Sequence, residues 1–188
     1  MKLLVASVVL VFSAVASGAE LPAPCADALR RALASCAAWT MERRLPGSVR
    51  TLVSTGTVEC TAGEGIVWKT LHPFPFSVSM TPDSMIFTDG DTKRVKPLSD
   101  LPHYADIKRR TDAFARGDAD AFDGIFELEV KRSLGGAWHL ELKPEVRAMR
   151  RLFSSIVLTG DETLTTAVFT TEDGGFSTIR FKESPRGR

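Results

Sequence analysis

Residues Gly56–Phe76 read GTVECTAGEGIVWKTLHPFPF. Two runs rich in β-branched and aromatic residues, Thr51–Cys60 and Gly65–Leu71, meet across the small polar stretch Thr61-Ala62-Gly63-Glu64, the composition of a strand–turn–strand unit. The following stretch sharpens the reading. Phe74, Phe76, Val78 and Met80 alternate with Pro75, Ser77 and Ser79, a period of two that places the apolar set on one face of a strand over Phe74–Met80.

Working outward, the same patterns recur. Ala38–Arg44 is separated from Thr51–Cys60 by the turn residues Leu45-Pro46-Gly47-Ser48. Ser84–Thr88 and Thr92–Val95 flank Asp89-Gly90, a hairpin signal. Further strands are expected over Ile125–Arg132, Ala137–Lys143, Leu152–Thr159, Leu164–Thr171 and Phe176–Lys182, with Gly135-Gly136 and Gly174-Gly175 marking tight turns. Val146, Met149 and Phe153 suggest a short helical turn. Cys25–Cys36 reads as a short helix with Leu29, Ala32, Leu33 and Cys36 on one face. One or two helices are expected over Leu98–Arg116, interrupted near Pro102. This pattern predicts a mainly β (α+β) fold: a single, strongly curved antiparallel sheet forming an incomplete β-barrel, with helices covering its concave face.

The chain begins MKLLVASVVLVFSAVASGA. Lys2, the apolar run Leu3–Val15 and the small residues Ser17-Gly18-Ala19 have the form of a cleavable export signal, with Ala14-Val15-Ala16 as the other cleavage site. The run falls short of the ~20 apolar residues of a membrane span. The expected organisation is a signal peptide over residues 1–19, one domain over residues 20–188, and a periplasmic location. Cys25, Cys36 and Cys60 are the three cysteines. Cys25 and Cys36 on one helix would stand ~16 Å apart, beyond disulfide reach. Cys36 with Cys60 is the more plausible pair, and buried unpaired thiols are the plainer alternative.

Charge and motifs exclude more than they select. With 24 basic and 23 acidic residues and no long basic run, nucleic acid is not an expected partner. The chain has no Gly-x-Ser-x-Gly elbow, phosphate loop, Cys-x-x-Cys or His-Glu-x-x-His. His72, His103 and His139 are scattered, so neither a metal nor a cofactor is expected. Asp118, Asp120, Asp123 and Glu129 echo a calcium loop, but Phe122 and Asp123 stand where an EF-hand needs an oxygen ligand and a glycine. No catalytic residue is assigned.

The apolar faces remain. Ile66, Trp68, Phe74, Phe76, Val78, Met80, Phe87, Phe126, Trp138 and Leu140 fall on inward-facing positions, and a concave sheet under few helices can leave room among them for an acyl chain. Arg150 and Arg151 could meet an anionic headgroup at the cavity mouth. These twelve residues are the expected ligand-binding set.

The ordered motifs Gly65-Ile66-Val67-Trp68, Pro73-Phe74-Pro75, Gly117-Asp118 with Phe126, Trp138–Pro144, and Glu172-Asp173-Gly174-Gly175 with Thr178 and Phe181 span nearly the whole chain after the signal. In this order they resemble the LolA-like periplasmic carriers of lipoproteins and lipids, in a divergent branch. The resemblance implies an incomplete barrel with a helical lid over a hydrophobic cavity. It also implies acylated lipoprotein or lipid cargo, passed from an inner-membrane transporter to an outer-membrane acceptor. The best-known members carry an Arg directly before the Pro that helps close the lid; His72 stands there in this chain. The expectation is therefore a non-enzymatic, monomeric carrier in transient contact with membranes. The alternative is a periplasmic sensor or envelope-assembly module that binds protein on the same concave surface.

Overall fold

The computed structural model describes residues 37–61, 65–81, 83–100, 126–132 and 137–183, together with Ala23, Ala26, Asp27, Arg31 and Gly124. Eleven strands form one sheet: β1 (Ala37–Arg44), β2 (Thr51–Thr61), β3 (Gly65–His72), β4 (Phe76–Met80), β5 (Ser84–Asp89), β6 (Thr92–Pro97), β7 (Phe126–Arg132), β8 (Trp138–Pro144), β9 (Ser155–Gly160), β10 (Leu164–Thr170) and β11 (Phe176–Glu183). Every neighbouring pair is antiparallel. The spatial order is β6-β5-β4-β3-β2-β1-β11-β10-β9-β8-β7. The first and last strands therefore pair at the centre. β6 and β7 are the two edges and do not pair with each other, so the sheet is open. The chain from Leu98 to Ile125 connects one edge to the other.

Period-two patterning separates the faces. In β1, Ala37, Trp39 and Met41 are buried while Ala38, Thr40 and Glu42 are partly exposed. β8 and β9 repeat the scheme, with Trp138, Leu140 and Leu142 on one face beside Ile156 and Leu158. The outer face carries threonines and diagonal ion pairs: Lys69–Glu59 at 2.9 Å, Lys143–Glu129 at 3.2 Å and Arg180–Glu42 at 2.7 Å. Such exposed pairs contribute only ~0–1 kcal/mol each. Burial of the inner face is the main stabilising term.

Two glycines make room for tryptophans. Gly56 pairs with Trp39, and Gly160 with Trp138. A Cβ at Gly56 would run into the Lys69 carbonyl oxygen and the Trp39 ring, whose Cε2 would lie at 2.7 Å. At Gly160 it would meet the Thr163 carbonyl oxygen and Trp138 Cζ2, the latter at 2.6 Å. Each indole lies over a strand position with no side chain.

Among the described residues, helix is scarce. Ala26, Asp27 and Arg31, within the expected Cys25–Cys36 helix, are helical. Ala26 joins the buried core, and Arg31 Nε donates to the Glu162 carbonyl at 2.6 Å. Leu98–Asp100 is a single 3-10 turn, anchored by a bond from Leu98 N–H to the Asp83 carbonyl at 2.8 Å. Helix α1 (Arg147–Arg150) is the short turn expected around Met149 and sits at the end of β8. The helical cover expected over the concave face is not found among these elements. Most of the stretch assigned to it, beyond Asp100, lies outside the described residues, as do the signal segment, Cys25, Cys36 and the acidic stretch Asp118–Asp123.

Two strand starts correct the sequence reading. β9 begins at Ser155, not Leu152, because the Leu152 and Phe153 N–H groups both donate to the Met149 carbonyl in the turn after α1. β4 begins at Phe76, not Phe74, and Phe74 is 65% exposed. Pro73 and Pro75 flank it, and neither has an N–H to offer the ladder, so the pairing starts only after Pro75. The His72–Pro73 peptide is cis.

Candidate functional site

The inner face of β1–β5 is organised in cross-strand rungs. One rung runs Ala37, Val58, Trp68, Val78, Phe87 and ends on the edge strand at Arg94. The next runs Trp39, Gly56, Thr70, Phe76. A third joins Ile66, Met80, Met85 and Lys96. Trp39 and Trp68 stack with ring centroids 4.8 Å apart and planes at 24°. Trp68 meets Phe181 edge-on at 6.4 Å. In a flat sheet, side chains rooted on β1 and β3 would stand ~10 Å apart, and those on β3 and β11 ~14 Å apart. Their rings lean together across the intervening strands, and Gly56 carries no side chain to fill the space between Trp39 and Trp68.

The expected ligand-binding residues fall into three groups. Ile66, Trp68, Phe76, Val78, Met80 and Phe87 share the face of β3–β5. Trp68, Val78 and Met80 are buried there, whereas Ile66, Phe76 and Phe87 are only partly so. Phe126, Trp138 and Leu140 lie on the same face at the opposite side of the sheet, at 0, 2 and 0% exposure. There the Trp138 indole donates to the Asp161 carbonyl at 2.8 Å, and Phe153 and Phe169 pack with centroids 5.5 Å apart. Phe74, Arg150 and Arg151 are not on the inner face. Phe74 is in the β3–β4 turn. Arg150 Nε donates to the Pro144 carbonyl at 3.1 Å and ties α1 to the end of β8, and Arg151 caps that helix, exposed.

Several residues that shape this face were not in the expected set. Trp39 stacks on Trp68, and Thr70 lies between them and Phe76. The signal for Trp39 was the alternation Ala37-Trp39-Met41; its partner becomes visible only from the register with Gly56. Arg94 and Lys96 occupy the inner-face positions of the exposed edge strand, opposite Phe87 and Met85. The Asp89-Gly90 hairpin, with its fixed pairing, could have placed them.

Among the described residues, two shifted groups lie away from this face. Lys143 is raised, chiefly by its hydrogen bond to Glu129, then by the charge of Glu141. Asp173 is lowered, chiefly by the Thr171 hydroxyl and then by the Gly175 N–H. Among the described residues no three His, Cys, Asp or Glu side chains group to hold a metal. His72 Nδ1 lies 3.4 Å from Thr55 Oγ1, and His139 Nδ1 lies 3.4 Å from Thr159 Oγ1.

A second surface stands apart. Thr55 pairs with His72, so the β3–β4 turn lies at the same end of the sheet as the β1–β2 turn. Val49, Leu52, Val53, Leu71 and Phe74 are exposed there, at 87, 48, 54, 46 and 65%. Arg44 and Arg50 accompany them, also exposed.

No family model matches the chain. No curated protein matches it. Solved structures do. It is similar to a LolA superfamily protein, NE2245 from Nitrosomonas europaea, at 12% identity over 86% of this chain and 93% of that one, with a TM-score of 0.37. It is also similar to a putative outer membrane lipoprotein-sorting protein domain from Vibrio parahaemolyticus, at 13% identity over 85% and 91%, with a TM-score of 0.37. A third is the MucA/MucB complex of Pseudomonas aeruginosa, at 14% identity over 82% of this chain and 53% of that one, with a TM-score of 0.42.

Proposed function

We propose that the protein is a periplasmic carrier that holds the acyl chains of a lipoprotein or lipid against the concave face of its sheet and moves them toward the outer membrane. The observation that supports this most is the uneven packing of one continuous apolar face. On β8–β10 the inner residues are sealed: Leu140, Leu142, Ile156, Leu158 and Ala167 are at most 2% exposed. On β3–β5, Ile66, Phe76 and Phe87 pack against the same core yet remain partly open. A guest chain laid on β3–β5 would complete their burial, at ~0.8 kcal/mol per methylene covered. In this reading Trp68, Val78 and Met80 form the floor and Phe126, Trp138 and Leu140 the far wall. Phe74, Arg150 and Arg151 stand at the rim.

Chemistry on the cargo is not part of the reading, because the face offers apolar surface and no convergent acid, base or nucleophile among the described residues. Affinity need only be moderate if the acceptor binds more tightly, and a monomer in transient contact with the membrane suffices. The test is gentle purification from the periplasm, native mass spectrometry and lipid extraction. A stoichiometric acylated species is expected. A clean empty mass with no uptake of added lipid or lipopeptide would defeat the carrier.

The exposed apolar end formed by Val49, Leu52, Val53, Leu71 and Phe74 favours a second reading, a protein-binding sensor or assembly module. Exposed apolar groups gathered in one place commonly mark interaction sites. Under that reading a protein partner, and not lipid, would co-purify and would be lost with substitutions at this end.

A further inference from the structure

Among the described residues, three buried polar atoms on the inner face have no hydrogen-bond partner: Trp39 Nε1, Trp68 Nε1 and Thr70 Oγ1. Their residues are 2, 3 and 5% exposed. They are also neighbours. Trp39 and Thr70 flank Gly56 on one rung, Trp68 is two residues along the same face of β3, and the two indoles stack. Buried polar groups in folded proteins are nearly always paired. The third tryptophan obeys that rule, with its N–H on the Asp161 carbonyl. Three orphans gathered in one patch therefore point to a partner that comes from outside the protein.

The chemistry of the three groups defines that partner. An indole N–H can only donate, and a threonine hydroxyl can donate as well as accept. The partner must accept. The patch itself holds no charge: Lys69 has the opposite side-chain parity and pairs with Glu59, and Arg94, on the Trp68 rung, stands three strands away on the exposed edge. A buried carboxylate would lose its hydration with no counter-charge, whereas a neutral carbonyl oxygen loses far less. We propose that Trp39, Trp68 and Thr70 form a polar anchor for the ester or amide carbonyl oxygen of an acylated cargo, fixing how deep the chain enters. The anchor rests on the carrier reading and adds to it a preference for acyl over plain alkyl chains.

The test compares two probes of equal length, methyl hexadecanoate and hexadecyl methyl ether, titrated against the purified protein. The ester is expected to bind about tenfold more tightly, the yield of one or two net hydrogen bonds. Trp39→Phe, Trp68→Phe and Thr70→Val keep the approximate shape and remove the donor. Each is expected to bring the ester-to-ether ratio toward one. A ratio that survives all three substitutions overturns the anchor. Equal binding of both probes by the parent also overturns it, while leaving the carrier intact. Binding of neither probe overturns both readings. Thr70→Val gives a second check through urea unfolding. It should leave stability unchanged or raised, since no protein bond is broken; a clear loss would mean that the hydroxyl has a partner in the protein and would remove it from the anchor.

Discussion

Gly56→Ala is the most discriminating single change in this molecule. Alanine would normally be the better residue in the middle of a strand, by roughly 0.5–1 kcal/mol, because glycine gives up more backbone freedom on folding. The structure predicts the opposite sign. The added methyl would collide with the Lys69 carbonyl oxygen and the Trp39 ring. That oxygen belongs to the β2–β3 ladder and can retreat only by moving the strand. Overpacking of this kind costs about 1–3 kcal/mol. Tilting Trp39 away also weakens its stack on Trp68, worth about 0.5–1.5 kcal/mol. After the gain from alanine is subtracted, the expected net loss is about 2 kcal/mol, which lowers the urea midpoint by about 1 M for a slope near 2 kcal/mol/M. Gly90→Ala serves as the control. Gly90 has a φ of 57° but nothing within 4 Å of its added carbon, so it should lose only the ~1–2 kcal/mol of left-handed strain. Equilibrium urea unfolding followed by tryptophan emission measures both. If Gly56→Ala unfolds at the parent midpoint or above it, the indoles do not cover Gly56 and the proposed floor of the site is misplaced.

Four further outcomes follow from particular contacts. Trp68→Asp is expected to fold less stably and to lose lipid uptake in the native mass spectrum; full uptake by a folded variant would remove Trp68 from the site. Trp138→Phe should cost about 1 kcal/mol more in urea unfolding than Trp39→Phe, because it alone gives up an indole hydrogen bond within the protein. Thr171→Val should raise the Asp173 pKa in a proton-detected carboxyl titration. The folded Asp173 is depressed by that hydroxyl, so its contribution to the β10–β11 turn is present above pH ~4 and fades as the pH falls through the folded pKa; an unmoved titration would mean that the hydroxyl does not hold the carboxyl down. Leu52→Asp at the exposed end should leave stability within about 0.5 kcal/mol and acyl binding unchanged; loss of a co-purifying protein partner would favour the second reading.

The strands were the most legible part of the sequence. Alternation and turn residues placed all eleven to within a few residues, because a sheet with one apolar face writes its period of two directly into the chain. Phe74 failed for a local reason that was also visible: two flanking prolines override the alternation it belongs to. What the sequence could not carry was the pairing of distant elements. That β1 lies beside β11, and that the edges β6 and β7 stay apart, depends on contacts between residues far apart in the chain. The site suffered most from this. Trp68, Phe76 and Phe87 could be picked by parity alone. Trp39, Thr70 and Arg94 acquire meaning only when register sets them beside Gly56 and Phe87.

The tryptophans mark two differently packed halves of the sheet. Trp138 and Trp39 use the same device, an indole laid over a glycine on the next strand, yet only Trp138 has its N–H satisfied by the protein. Around Trp138 the face is closed, with Leu140, Leu142, Ile156 and Leu158 sealed. Around Trp39 and Trp68 it is partly open, its polar atoms lack partners, and the rungs run out to Arg94 and Lys96 on an exposed edge strand. If stability alone had shaped both halves, Trp39 and Trp68 would be better replaced by phenylalanines, which bury comparable surface without an orphaned donor. Retaining two unsatisfied indoles and a hydroxyl beside the looser half is a stability cost, and a cost placed where a guest would lie is most simply offset when the guest is bound. In the proposed carrier, β8–β10 would then be the scaffold and β3–β5 the working surface.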